Sequence, residues 1–234
     1  MYTVSFDPRW QVWRDRAREA LLAQTPPSEI LWAPDDDSQP LLPLGEDAPG
    51  AGPARAAARG ASQRDLHVPA DFVRLARLVA HHRSAGRWDL LYRLLWRLQH
   101  GEPGLLEDML DPDVFRFRRM AAGVRDDLKE TRAQLHFWSP AAARSMRRAG
   151  AQPPRDGRLP DMVTWCEPRH RVLPLLAEIF AERYPDRSFA LLSPEGCAFW
   201  DTRSLEHGPG MDRRAAQSPA EIARRWSERR RDAA

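Results

Sequence analysis

The chain has 234 residues, 42% of them hydrophobic and 29% charged, a balance typical of a folded globular protein with one large or two small domains. It has no apolar run near the roughly 18 residues that span a bilayer and no basic and apolar leader at its start, so we expect a cytoplasmic protein. The 36 Lys and Arg exceed the 33 Asp and Glu by only three, an excess too small to indicate nucleic-acid binding by itself.

A short strand and one helix are predicted at the start of the chain. Val4 and Phe6 alternate as in a strand, and Asp7 followed by Pro8 is typical of a helix N-terminus. The apolar face of this helix consists of Trp10, Trp13, Ala17, Ala20 and Leu21. We expect residues 1–33 to form part of the core.

A predicted linker follows over residues 34–64. The segment is rich in Pro, Gly, Ala and acidic residues and shows neither helical nor strand periodicity. Such a segment cannot offset the entropy of ordering by burying apolar surface. We therefore expect it to be mobile, with the main domain spanning 65–234.

Helices dominate the first half of that domain. Apolar periodicity predicts helices over 69–82 and 86–100, a short helix over 105–110, and a long one from Asp111 and Pro112 to about residue 132. The middle of the protein is thus expected to be a helical bundle.

Strands enter in the second half. Segments 133–138 and 161–167 have strand patterns, and 189–192 with 197–200 flank a turn containing Pro and Gly. Further helices are predicted from Pro174 to Tyr184 and from Pro219 to about residue 231, with residues 139–160 as a surface insert. The predicted fold class is α+β, an N-terminal and central helical bundle with a small antiparallel sheet in the C-terminal half.

Several segments resemble a known family in order and spacing. They lie at 92–98, 105–114, 165–170, 180–184 and 192–210. The family consists of uncharacterised bacterial proteins linked to DNA repair or DNA metabolism. Its members are encoded beside a radical-SAM protein or fused to a uracil-DNA glycosylase-like domain, so the resemblance implies a partner of one of these kinds.

The chain departs from that family in two places. Where relatives usually have a His-Lys-Met triplet and then an aromatic and basic strand, this chain has Lys129, Glu130 and Thr131, followed by residues 134–138. A site that uses the triplet is altered here. Relatives also tend to end with an Asn-Pro-Ala-Arg motif, which the basic C-terminal segment of this chain lacks.

Three residues are candidates for catalysis because the resemblance and the predicted strand ends both single them out: Glu167, His170 and Asp201. A carboxylate and an imidazole supply a general base and its orienting group near neutral pH. The alternative is structural, with the two acids paired to Arg169 or Arg183 and His170 capping a turn. Ion pairs of this kind are the commoner outcome.

Other candidate sites have simpler explanations. Cys166 and His170 have a spacing found in metal sites. The chain has only two cysteines, which are too few for a four-thiolate zinc site. Cysteine is also among the residues most often buried in protein cores, so we expect no metal. The sequence has no phosphate-binding loop, dinucleotide fingerprint, nucleophile elbow, HExxH motif or cysteine cluster, which argues against a self-sufficient enzyme. We also expect no cofactor. The aromatic series Trp88, Tyr92 and Trp96 is expected in the core, and so is Trp165.

The basic C-terminal segment suggests weak contact with nucleic acid. Arg224, Arg225, Arg229 and Arg230 present guanidinium groups that match phosphate oxygens, although a solvated amphipathic face explains them equally well. Two hypotheses follow. The first is a DNA-repair accessory protein that binds nucleic acid or docks a repair enzyme, and the second is a nucleic-acid-processing enzyme using the three candidate residues above.

Overall fold

The computed structural model describes residues 2–35, 66–139 and 159–232, with side chains as far as Trp226. The elements in chain order are β1 (Tyr2–Phe6), α1 (Trp10–Leu22), β2 (Ile30–Pro34), α2 (Ala70–Val79), α3 (Arg87–Gln99), α4 (Pro112–Gln134), β3 (Met162–Trp165), α5 (Leu173–Arg183), β4 (Phe189–Leu192), β5 (Cys197–Trp200), β6 (Leu205–Gly208), α6 (Arg213–Ala216) and α7 (Pro219–Asp232). The predicted α+β class is confirmed. Within the described part of the chain, no helix is both long and apolar enough to cross a membrane.

The chain divides into two compact units, Met1–Gly123 and Val124–Ala234. The boundary falls within α4, where the sequence shows no linker because the helix continues through it. Each unit has its own cluster of buried apolar side chains.

The first unit begins with two parallel strands. β1 pairs with β2 in a register that places Tyr2 opposite Ile30 and Phe6 opposite Pro34, and β2 was not predicted. α1 starts at Trp10 with Arg9 at its N-cap, so the prediction that Asp7 caps this helix is wrong. Asp7 instead forms an ion pair with Arg9 at 2.8 Å.

Aromatic rings from distant parts of the sequence form the core of the first unit. Trp13 stacks on Trp88 with ring centroids 5.7 Å apart, and Trp32 meets Tyr92 edge-on at 5.2 Å. The Tyr92 hydroxyl donates a 2.7 Å hydrogen bond to the Thr25 carbonyl, and burial raises its pKa. Trp88 and Tyr92 are fully buried, as the sequence predicted, whereas Trp96 is only partly buried and packs against this core.

Ion pairs join α3 to the start of α4. Arg93 binds Asp113 through two hydrogen bonds of 2.9 Å, and Arg97 contacts Asp111 at 2.8 Å. Asp111 also caps α4, because its Oδ1 accepts the backbone N–H groups of Asp113 and Val114. Together these contacts hold the end of α3 against the start of α4.

The second unit contains a four-stranded sheet in the order β3-β4-β5-β6. β4, β5 and β6 are antiparallel, and the predicted 189–192/197–200 hairpin is present. β3 is parallel to β4, so the expectation of a purely antiparallel sheet is wrong. The reason is that α5 connects β3 to β4, and a helical crossover returns the chain in the same direction.

Side chains cover both faces of this sheet. Ala190, Leu192 and Phe199 belong to a cluster that includes Trp226 of α7, whereas Phe189 packs on Phe180 of α5 with ring centroids 6.3 Å apart. All four residues of β4 are therefore buried, which explains why its sequence is apolar throughout and does not alternate.

The two predicted irregular segments lie mostly outside the described residues. Of the 34–64 linker, the structure describes only Pro34, the last residue of β2, and Asp35, whose N–H donates a 2.8 Å hydrogen bond to the Phe6 carbonyl. Of the 139–160 insert it describes both ends, where Pro160 is buried and Leu159 packs against the core.

Gly210 should tolerate no side chain. A Cβ atom on this residue would lie 1.9 Å from the Pro194 carbonyl oxygen in the β4–β5 turn. We expect Gly210→Ala to destabilise the protein by about 1–3 kcal/mol, the usual cost of overpacking, as measured by urea denaturation. Gly104→Ala is the matched control, since its nearest atom would be 4.0 Å away; equal stability of the two variants would contradict the tight contact.

Acid should weaken the junction between α3 and α4. The Arg97 guanidinium lowers the pKa of Asp111 in the folded protein, so this pair stabilises the fold above the ordinary carboxyl pKa of about 3.9 and the stabilisation is lost as pH falls through the lowered value. We expect Asp111→Asn to reduce the melting temperature at pH 7 and to have a smaller effect at pH 3. An equal reduction at both pH values would show that the ion pair contributes nothing.

Candidate functional site

The C-terminal end of α4 supplies one wall of a surface groove in the second unit. The helix ends at Gln134, and Trp138 forms an isolated antiparallel bridge with Val163 of β3. The prediction of a strand over 133–138 is wrong apart from this bridge, because α4 continues through residues 133 and 134. Gln134, His136 and Trp138 all line the groove. Phe137 instead packs on Phe180, with ring centroids 5.1 Å apart.

A tryptophan and a carboxylate at the end of β3 form the next part of the wall. Trp165 was expected to be buried, but it is only half-buried and lines the groove. Its indole N–H donates a 2.8 Å hydrogen bond to Oε1 of Glu167. The carboxylate thereby fixes the orientation of the indole ring.

A buried acid on α4 holds the loop that follows β3. The side chain of Asp127 is 4% exposed, and its oxygens accept the backbone N–H groups of Arg169 at 3.2 Å and His170 at 2.7 Å. Arg169 also pairs with Glu130 one turn further along α4. Because Glu167 lies two residues before Arg169, this attachment limits the positions that the Glu167 carboxylate can take.

The remaining wall comes from α6 and the residue after it. Asp212 caps α6 by accepting the Ala215 N–H at 2.8 Å, which places Arg213 in the first turn. The Arg213 side chain is 71% exposed, and its guanidinium lies 4.0 Å from the Glu167 carboxylate. Gln217, directly after the helix, is also exposed.

Together these elements enclose a groove of about 410 Å³. Its lining residues are Gln134, His136, Trp138, Trp165, Arg213, Ala216 and Gln217. Sites for small molecules in proteins span about 300–1,000 Å³ and combine aromatic walls with a few polar groups. The groove therefore has the size and the chemistry to hold a flat, polar-edged molecule bearing a negative charge.

The three residues predicted for catalysis are not brought together. Glu167 and His170 follow β3, beside the C-terminal end of β4, whereas Asp201 follows β5, whose last residue pairs with Phe189 at the opposite end of β4. Four residues of strand separate these ends by roughly 10 Å. The carboxylate of Asp201 accepts the N–H groups of Arg203 and Ser204 and so stabilises the β5–β6 turn.

The two cysteines lie in the core of the sheet, where sequence reasoning expected them. Cys166 donates its N–H to the Leu192 carbonyl of β4, and Cys197 pairs with Leu192 from the other side. With β4 between them, the two chains are about 10 Å apart, too far for a disulfide. Burial raises the pKa of Cys166 to about 12, so this thiol is un-ionised at neutral pH. No group of three potential metal ligands occurs among the described side chains.

The four arginines proposed for nucleic-acid contact lie on α7. Arg224 forms a salt bridge with Glu221, and the Arg225 guanidinium lies 3.7 Å from the same carboxylate. The hydrogen bond from Arg224 lowers the pKa of Glu221. Arg229 and Arg230 fall within the helix, but their side chains lie outside the described part of the protein.

Most of the groove was not predicted from the sequence. The alternation of His136 and Trp138 was a usable signal. The sequence did not indicate that Arg213 and Gln217 line the groove, because they are distant from β3 in the chain and come near it only in the folded structure.

Comparison with known families gives one match. The profile of a domain of unknown function, DUF4130, matches residues 85–229, more than half of the chain and all of the groove. No curated protein and no solved structure matches the chain significantly. The chain therefore belongs to the DUF4130 family.

Proposed function

We propose that this protein is a nucleic-acid-associated accessory protein and that the groove lined by Trp138, Trp165 and Arg213 is its nucleic-acid contact. The single observation that supports this most is the presence of two half-buried tryptophans and an exposed arginine on one concave surface. Indole rings stack on bases, and a guanidinium presents paired donors to phosphate oxygens.

The basic residues of α7 are a secondary part of the proposal. Arg224 and Arg225 lie in the same unit of the fold as the groove and add positive charge to that unit. Glu221 offsets part of this charge. We propose that these two residues, with Arg229 and Arg230, add weak phosphate contacts that do not depend on sequence.

The biological setting is proposed from the family resemblance of the sequence. We propose a cytoplasmic role in DNA repair or DNA metabolism, with a radical-SAM protein or a uracil-DNA glycosylase-like protein as the partner. An accessory role fits a site that has stacking and charged groups but no assembled set of catalytic groups among the described residues.

A nucleic-acid-processing enzyme is the second candidate. One observation favours it: Glu167 lies beside the groove wall, bonded to Trp165 and 4.0 Å from Arg213. The two candidates differ in what Glu167→Gln should do. The amide oxygen still accepts the indole N–H, so an accessory protein retains its affinity, whereas an enzyme that uses this carboxylate as a base loses turnover.

Replacement of Arg213 should change the salt dependence of binding. We expect Arg213→Ser to reduce the magnitude of the negative slope of log affinity against log salt concentration by about 0.7 for single-stranded DNA, the value for one lost phosphate contact. Fluorescence anisotropy of a labelled oligonucleotide over a salt series measures this slope.

Arg187→Ser is the matched control, because Arg187 is exposed and precedes β4 at the end of the sheet away from Glu167. Its slope should equal that of the unmodified protein. If both variants lower the slope equally, the contact is diffuse and the groove is not its centre. If the unmodified protein binds no oligonucleotide at low salt, direct binding is ruled out.

A further inference from the structure

We infer that the groove receives a single unpaired base, so that its ligand is a single strand or a base turned out of a duplex. This inference rests on the proposed function and specifies its substrate class. The features that support it are the concave shape, the occupied indole N–H of Trp165 and the polar groups that surround the two tryptophans.

The shape of the site argues against reading an intact duplex. A protein reads base edges in a duplex by inserting a helix or a strand pair into the major groove, and the inserted element is convex. Here the lining groups surround a depression of about 410 Å³. A depression accommodates a group that projects from the nucleic acid, and an unstacked base is such a group.

The tryptophans offer ring faces more than hydrogen bonds. The N–H of Trp165 is already bonded to Glu167 at 2.8 Å, so its indole recognises a ligand through the π-surface. Every base has a π-face, and stacking is therefore tolerant of sequence. Trp138 and Trp165 both pack against the apolar core, which limits their motion and reduces the entropy lost when a base stacks on them.

The polar lining residues suit the edge of a base. Nδ1 of His136 lies 2.7 Å from the Gln134 carbonyl oxygen; since a carbonyl only accepts, Nδ1 has the proton and Nε2 of the neutral ring is an acceptor. The side-chain amides of Gln134 and Gln217 each provide donors and an acceptor. Such groups can pair with the donors and acceptors that become accessible when a base is unpaired.

The test compares three probes of equal length: a labelled oligothymidylate, the same backbone with abasic sites, and a duplex. The complete chain should bind the oligothymidylate about 5- to 150-fold more tightly than the abasic strand, the range expected for stacking of one base. The duplex should bind more weakly than the oligothymidylate, because a base must first be unpaired and unstacked before it can enter the groove.

Two groove variants locate the effect. Trp138→Leu should remove most of the preference for the strand with bases, with Trp200→Leu as control, because Trp200 lies at the opposite end of the sheet. Trp138 also packs against the core, so a second variant guards against misfolding. Gln217→Ala removes an amide that can pair with the edge of a base and leaves the charge of the groove unchanged, with exposed Gln11→Ala of the first unit as control.

The outcomes separate this inference from the proposed function. The base pocket is supported if both groove variants reduce the preference for the strand with bases and both controls retain it. Equal binding of all three probes overturns the base pocket and leaves the protein a general phosphate binder. A preference that neither Trp138→Leu nor Gln217→Ala reduces places the base elsewhere and also overturns the inference. Failure to bind any probe overturns the proposed function itself.

Discussion

The arrangement of the groove depends on one buried carboxylate. Asp127 on α4 accepts the backbone N–H groups of Arg169 and His170, and it attaches the loop after β3 to the helix. A buried carboxylate is stable only when it is hydrogen-bonded. Asp127 therefore needs the N–H groups of the loop, and the loop is held in place by Asp127. The same loop contains Glu167, which orients the Trp165 indole. A residue outside the groove thus determines the geometry of its wall.

The groove combines elements that are distant in the sequence. The end of α4, the end of β3 and the short helix α6 meet only because the β3–α5–β4 crossover and the following antiparallel strands bring them together. Their side chains suit a binding surface, with aromatic faces for contact area, amides and an imidazole for directional hydrogen bonds, and an exposed guanidinium for charge. This combination is the reason for proposing an accessory role first.

Local sequence patterns predicted the elements well and the site poorly. The apolar faces of α1 and α2, the Pro-Gly turn between β4 and β5, and the start of α4 at Asp111 each follow from neighbouring residues, and the structure contains all of them. β2 was missed because only pairing with β1 makes it a strand. The parallel pairing of β3 and the closeness of Arg213 to Glu167 depend on contacts between distant segments, which periodicity does not encode. Glu167 was singled out by the family resemblance and by its place at a predicted strand end. Its hydrogen bond to Trp165 could not be predicted from the sequence.

The central claim is that nucleic acid contacts the protein at the two groove tryptophans. Ultraviolet crosslinking of a labelled single strand to the complete chain, followed by peptide mapping, tests it directly. Aromatic side chains stacked on bases lie close enough to them to form crosslinks, so the account predicts adducts in the peptides that contain Trp138 and Trp165, and none at Trp200. Adducts confined to the arginine-rich α7, or to the first unit, would contradict it.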